Sequence, residues 1–186
     1  ALQMWIVGGT LPLQTTAPDR VRNTTLVFNP AGACVARYDK IHLFHFDNGR
    51  ELYDEGRVIE AGNTPVQFDL QARDGQRWRV GLSVCYDLRF PELYRAHAHA
   101  GADLLLVPSA FTHTTGQAHW EVLLRARAIE NLAYVLAPAQ GGVHENGRHT
   151  WGHSMLVDPW GTVLAQQDQG PGTVVGVLDV QRLRAV

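Results

Sequence analysis

Two cysteines stand among the 186 residues, Cys34 and Cys85, and the surroundings of the second invite chemistry. Residues 81–92 read GLSVCYDLRFPE, which sets a thiol between an apolar run and the start of a helix. A thiolate is a strong nucleophile, and unpaired backbone N–H groups at a helix start together with nearby positive charge favour it over the thiol. Attack on a carbonyl by such a sulfur also needs a base, an orienting charge and donors for the oxyanion that forms. Lys40, in RYDKIHLF, can supply the charge. If its strand neighbours the Cys85 strand in a parallel sense, both side chains emerge at one sheet end. The ammonium then lowers the thiol pKa and meets the oxyanion beside the Tyr86 N–H. Taken singly, a buried structural cysteine and a solvated lysine are the commoner fates of these residue types.

The nine histidines raise a metal site or a Cys-His pair as other possibilities. His97 and His99 are two apart on a helix and face different ways, and no Cys-x-x-Cys or His-Glu-x-x-His spacing occurs, so no metal is expected. A Cys-His hydrolase would need His42, His119 or His153 to meet Cys85 in space, which the sequence leaves open.

The elements that must position these groups are short and frequent. Residues 4–7, 24–28 and 34–38 read as strands, the last two joined by the turn Asn29-Pro30-Ala31-Gly32. Residues 40–63 are irregular and rich in charge and glycine, and a connection of that length is more often functional than idle. The alternation Trp78, Val80, Leu82, Val84 marks a strand that Cys85 closes. Residues 86–90 form a short connection, Pro91 and Glu92 open a helix, and Gly101 stops it. Residues 103–107 are a continuous apolar run suited to a strand covered on both faces. Residues 116–131 form a helix with Trp120, Leu123, Leu124 and Ala128 on one stripe. Further strands are expected at 132–136, 153–157, 162–166 and 173–179, with Asp158-Pro159-Trp160-Gly161 as a turn. Strands that first alternate with helices and then follow one another predict a layered α/β sandwich.

The chain is 45% hydrophobic with a formal net charge of -2, which suits one domain with a substantial core. The near-neutral charge offers no footprint for nucleic acid and no polybasic segment for a membrane surface, so a small-molecule partner is expected. The apolar runs are too short to span a bilayer. Two cysteines make no disulfide framework and fit a reducing, cytoplasmic compartment.

The segments RYDKIHLF, CYDLRFPEL, PSAFTHTTGQAHWEVLLRARAIEN and GHSMLVDPWGTVLAQ, in this order, resemble the nitrilase superfamily of carbon–nitrogen hydrolases. The similarity runs along residues 1–186 as one domain and is strongest to the branch acting on deaminated glutathione, with the omega-amidases beside it. The resemblance implies a four-layer αββα fold, pairing of subunits into a homodimer or higher oligomer, and amide hydrolysis by a Glu-Lys-Cys triad without cofactor or metal. It places Cys85 as nucleophile, Lys40 as the lysine and Glu55 as a supporting second glutamate. From the residues alone, Glu55 reads as a loop carboxylate in water. Tyr86 is implied as an oxyanion donor, and Arg89 as a substrate contact or a member of a local ion pair with Glu92. Phe111 is pocket wall or core.

One departure stands out. The family's general base is a glutamate ahead of the strand beginning near Leu2, and the first glutamate of this sequence is Glu51, after Lys40. The reading that follows is an incomplete copy of a longer protein, lacking an N-terminal strand and helix. N-carbamoyl or nitrile hydrolysis and a non-catalytic binding or assembly role stand as alternatives to amide hydrolysis.

Overall fold

The computed structural model describes residues 3–47, 49 and 52–186, so the expected strand start near Leu2 and the position of Glu51 lie outside the described residues. Strands β1 (Ile6–Gln14), β2 (Val21–Phe28) and β3 (Cys34–Asp39) form an antiparallel three-stranded sheet in that order. β1 runs further than the expected 4–7. A bulge between Gly8 and Leu11 absorbs the glycines, and Pro12 is tolerated because β1 is an edge strand. The Asn29–Gly32 turn joins β2 to β3 as expected, with Gly32 at φ 85°. The irregular stretch after Lys40 holds a small hairpin, β4 (His45–Asp47) with β5 (Leu52–Asp54), and a 3-10 turn at Glu55–Arg57.

The remaining strands, apart from one hairpin, build a six-stranded sheet. These are β6 (Gln67–Gln71), β7 (Arg77–Leu82), β8 (Leu104–Leu106), β9 (Tyr134–Ala137), the separate hairpin β10 (Gly141–Val143) with β11 (His149–Trp151), β12 (Ser154–Val157) and β13 (Val163–Gln167). The sheet order is β13-β12-β9-β8-β7-β6, with β7, β8 and β9 parallel and the outer strands antiparallel. Helices α1 (Pro91–His99) and α2 (His113–Asn131) cover one face, and a short α3 (Val180–Arg184) follows near the C-terminus.

The central strands are buried on both faces, which explains their unbroken apolar runs. Leu105, Val107, Val135 and Ala137 face Trp120, Leu124 and Ala128 of α2. Val80, Leu82, Leu104 and Leu106 face Val27 and Tyr38 of the three-stranded sheet. The layers are therefore helix, sheet, sheet, and among the described residues no helix covers the outer face of the three-stranded sheet, where Ile6, Leu11 and Val35 are exposed. Three of the four expected layers are present.

Two expectations are corrected here. Residues 173–179 form no strand: they run alongside no ladder partner, and Val175 and Val177 are exposed. β3 and β7 are not neighbours in one sheet but lie in different sheets, so Lys40 and Cys85 approach each other across the sheet stack.

Candidate active site

The parallel strands β7, β8 and β9 end at the same side, and the loops that leave them make the wall of a cavity of about 380 Å³. The lining comes from Val84 and Cys85 after β7, Pro108 to Ala110 after β8, and Pro138 to Gln140 after β9, with Glu55 and Arg148 from outside the sheet. Open α/β sheets place ligands at such carboxyl ends, where strand geometry delivers several loops to one point. The loops are themselves tied together: Ser109 N–H donates to Pro138 O at 2.9 Å and Gln140 N–H to Ser109 O at 2.9 Å.

Cys85 opens a 3-10 turn, Cys85–Arg89, and has φ 52°, in the left-handed region that non-glycine residues rarely adopt. Its own N–H donates to Pro108 O at 3.0 Å, and the turn beneath it is closed by Asp87, whose Oδ2 accepts the Val84 N–H at 2.8 Å. Helix α1 begins only at Pro91, with Phe90 as its cap, so the thiol is separated from that helix's dipole by the 3-10 turn. The short connection over 86–90 and the helix opening at Pro91 are as expected; the connection itself is a 3-10 turn.

Asp87 is the residue that sequence reasoning missed. It is fully buried, and besides Val84 it accepts the Tyr38 hydroxyl at 2.7 Å, the His42 N–H at 3.0 Å and the His42 ring Nδ1 at 2.7 Å. One carboxylate thus fastens the cysteine turn to the end of β3 and the loop just past Lys40. Burial, with the Asp87 charge second, pushes the Tyr38 phenol well above its ordinary value, which keeps it a donor. An acidic residue in a turn gives no sequence signal for this role. Arg127 is a second such case: it is buried on α2 and donates to Leu88 O through Nε at 3.1 Å and Nη2 at 2.7 Å, holding the far end of the turn.

Lys40 is buried, and its Nζ meets Glu55 Oε2 at 2.5 Å; the same oxygen accepts the Phe44 N–H at 2.8 Å. The expectation of a solvated carboxylate at Glu55, drawn from the residue alone, is corrected by this pairing. Burial pushes the Cys85 thiol up from its ordinary value, and the opposing pull of Lys40 and of the Ala110 N–H does not reverse it. The thiolate expected from charge alone is therefore not the favoured form of this cavity by itself, because desolvation of the sulfur outweighs the ammonium.

Tyr86 and Phe111 line a narrow crevice adjoining the cavity, together with Phe44 and Thr115. Phe111 also packs on Trp120, with ring centroids 4.9 Å apart, so it is both wall and core. The structure does not bring Arg89 to either space: its guanidinium meets the His119 ring nitrogen Nδ1 at 3.0 Å and lies over the Phe111 ring. Neither His119 nor His153 lines the cavity, and His42 is engaged by Asp87, so the Cys-His arrangement is not formed. Among the described residues no cluster of three metal-ligating side chains occurs.

The family pattern described as carbon-nitrogen hydrolase matches residues 1–186. The chain is 42% identical over 187 residues to a deaminated glutathione amidase of Synechocystis sp., covering 99% of this chain and 67% of that protein. It is 46% identical over 166 residues to the human deaminated glutathione amidase, covering 89% of this chain and 50% of that one. Among solved structures, the C. elegans NitFhit protein superposes with a TM-score of 0.88 at 40% identity, over 98% of this chain and 44% of that one. The chain thus spans about half to two thirds of the curated relatives.

Proposed function

Because this chain belongs to the carbon–nitrogen hydrolase family, we propose that it carries the nucleophile site of an amidase that cleaves the terminal carboxamide of a small 2-oxo acid, deaminated glutathione or a similar omega-amide. The carrying observation is Cys85, in a left-handed backbone conformation at the wall of a cavity that also holds Glu55, with Lys40 paired behind it. The relatives named as deaminated glutathione amidases support the substrate class.

In this reading a base takes the Sγ proton and the sulfur attacks the amide carbon. The oxyanion is met by the Lys40 ammonium and the Tyr86 N–H, which sits in the first turn of its 3-10 helix without an intrahelical carbonyl. Collapse breaks the C–N bond, ammonia leaves with a proton returned by the base, and water hydrolyses the thioester to release the acid. Glu55 positions Lys40 and supports it. The proton acceptor itself is not supplied by the described lining: Glu55 is the carboxylate there, and its Oε2 is committed to Lys40 and the Phe44 N–H. That observation favours a second reading, in which a polypeptide of these residues alone is a non-catalytic binding or assembly unit.

The pairing of copies through helical faces belongs to the same proposal, supported by the exposed Val122 and Ile129 on α2. So does a cytoplasmic setting, supported by two free thiols, Cys34 exposed. Among the described residues no helix is long and apolar enough to cross a membrane. The deciding experiment measures ammonia release by the full-length parent across 2-oxo amides, carbamoyl compounds and nitriles. Cys85→Ala is expected to abolish turnover, about a thousandfold or more; retained activity removes Cys85 from the chemistry, and a preference for carbamoyl compounds or nitriles replaces the substrate class.

A further inference from the structure

The hairpin β10–β11 carries Arg148 to the cavity wall. The hairpin is seated on the loop after β8: Trp151 N–H donates to Phe111 O at 2.9 Å, and Thr112 bridges to Thr150. Arg148 Nη2 donates to Ala110 O at 2.8 Å, and the guanidinium lies 5.2 Å from the Tyr53 ring centroid. Ala110, whose carbonyl accepts from Arg148, lines the cavity and the crevice together with Cys85, and its N–H and the Arg148 charge both pull the Cys85 thiol down. Arg148 lines both the main cavity and the adjoining crevice, as do Cys85 and Glu55.

Among the described residues Arg148 has no acidic partner, and its Nε is buried with no hydrogen bond. Glu55, the one carboxylate among the described residues of the cavity wall, is already committed to Lys40. A guanidinium at the cavity wall, spread over a ring face and held by the protein through Nη2, can meet an anion of planar, two-oxygen geometry. Ligand cavities use a small number of such polar groups to fix orientation.

We propose that Arg148 is the specificity residue of this cavity, binding the carboxylate of the substrate while its amide carbon lies at Cys85. This rests on the amidase reading and adds to it that the substrate is selected as an anion. A neutral amide of equal length would reach the sulfur but leave the guanidinium unmatched.

The test uses alkylation of Cys85 by iodoacetamide, at one fixed alkaline pH, as a binding readout independent of turnover. 2-Oxoglutarate, a dicarboxylate, is expected to slow the labelling, and uncharged pentanamide serves as the control. Arg148→Met is expected to raise the half-protecting concentration of 2-oxoglutarate by about 10- to 100-fold, the range for losing a charge-assisted hydrogen bond. The unprotected labelling rate is expected to fall in Arg148→Met, because the Arg148 charge favours the thiolate, so protection is read as a ratio within each variant. The half-protecting concentration of pentanamide should change by no more than about twofold, and Arg148→Lys should restore part of the effect, since the lysine keeps the charge without the fork. Absence of protection in the wild type, or equal protection in wild type and Arg148→Met, overturns the proposal. Equal weakening of both probes overturns it as well, because Arg148 would then only shape the wall. Ammonia release is read separately: Arg148-dependent protection without turnover keeps the anion site and sinks the amidase reading.

Discussion

Cys85 is held in a backbone conformation that costs roughly 1–3 kcal/mol for a residue with a Cβ, and its neighbours supply what holds it there. Pro108 O takes its N–H, and Asp87 closes the turn from within the core. A thiol aimed into a cavity from such a turn is accessible yet partly desolvated, and desolvation governs its titration. Since burial pushes its pKa above the ordinary 9.0 of a cysteine, the sulfur is protonated at neutral pH, and its labelling by iodoacetamide should lag a free thiol there and rise through the alkaline range. Mass spectrometry of the Cys85 peptide against pH checks this; labelling at pH 7 faster than free thiol would show that Lys40 outweighs burial. Replacing Lys40 by methionine should suppress labelling further, because Lys40 is the largest influence pulling the thiol down. Cys85 and Lys40 were legible in the sequence as residue types with a chemical use. Asp87 and Arg148 were not, since a turn aspartate and a hairpin arginine look the same whether they face water or a cavity.

The elements deliver these side chains through strand ends. Three parallel strands leave the sheet at one edge, and each contributes a loop to the cavity, so the register Gly81↔Leu105↔Val135 fixes the spacing of the wall. The helix that follows the cysteine turn is anchored by His97, which is buried on α1, shares a hydrogen bond with Leu82 O at 2.9 Å, and meets Gln67 Nε2 at 3.1 Å. Its ring is so close to β7 that a Cβ on Gly81 would lie 2.8 Å from His97 Cγ. Burial holds the imidazole below its ordinary 6.5, so Nε2 donates to Leu82 O in the neutral form. The unfolded chain binds a proton near pH 6.5 and the native ring resists it, so this contribution to stability is complete above pH 6.5 and declines as pH falls below it toward the folded value. Thermal melts from pH 7.5 to pH 5 should lose several degrees below pH 6.5, with a shallower slope in His97→Gln; identical slopes would mean that His97 is not the group responsible. The strand and helix periods were readable in β7, β8 and α2 because their burial follows the chain's own repeat. The expectation at 173–179 failed because alternation alone does not supply a neighbouring strand.

At the scale of the whole molecule, the site exists because two sheets are stacked. Lys40 comes from the end of the three-stranded sheet and Cys85 from the six-stranded one, and Tyr38 and Asp87 join them through the core. The outer face of the three-stranded sheet presents Ile6, Leu11 and Val35 to solvent, an apolar surface of the kind that proteins cover or pair. Under the amidase proposal Cys85 is the nucleophile, and among the described residues of the cavity wall the carboxylate is Glu55, already engaged by Lys40, so that lining offers no free carboxylate base. On that proposal a polypeptide of these 186 residues should release ammonia from 2-oxo amides at least about a hundredfold more slowly than a longer form that carries a further N-terminal glutamate, the scale of a lost general base. Equal rates in a coupled ammonia assay would mean that another group removes the thiol proton.

By itself the sequence determined the layered α/β class, the positions of the central strands and long helix, and the candidacy of Cys85 and Lys40, because periodicity, turn chemistry and spaced motifs are local properties of a chain; Glu55 became a candidate only through the family resemblance. Only the tertiary structure decided that Lys40 and Cys85 meet between sheets, that Asp87 binds their loops together, that Arg148 reaches the same cavity, and that the thiol is held protonated. Those outcomes depend on burial and on contacts between residues far apart in the chain, such as Cys85 with Lys40, Asp87 with His42 and Arg148 with Ala110, and desolvation has no signature in the order of residues.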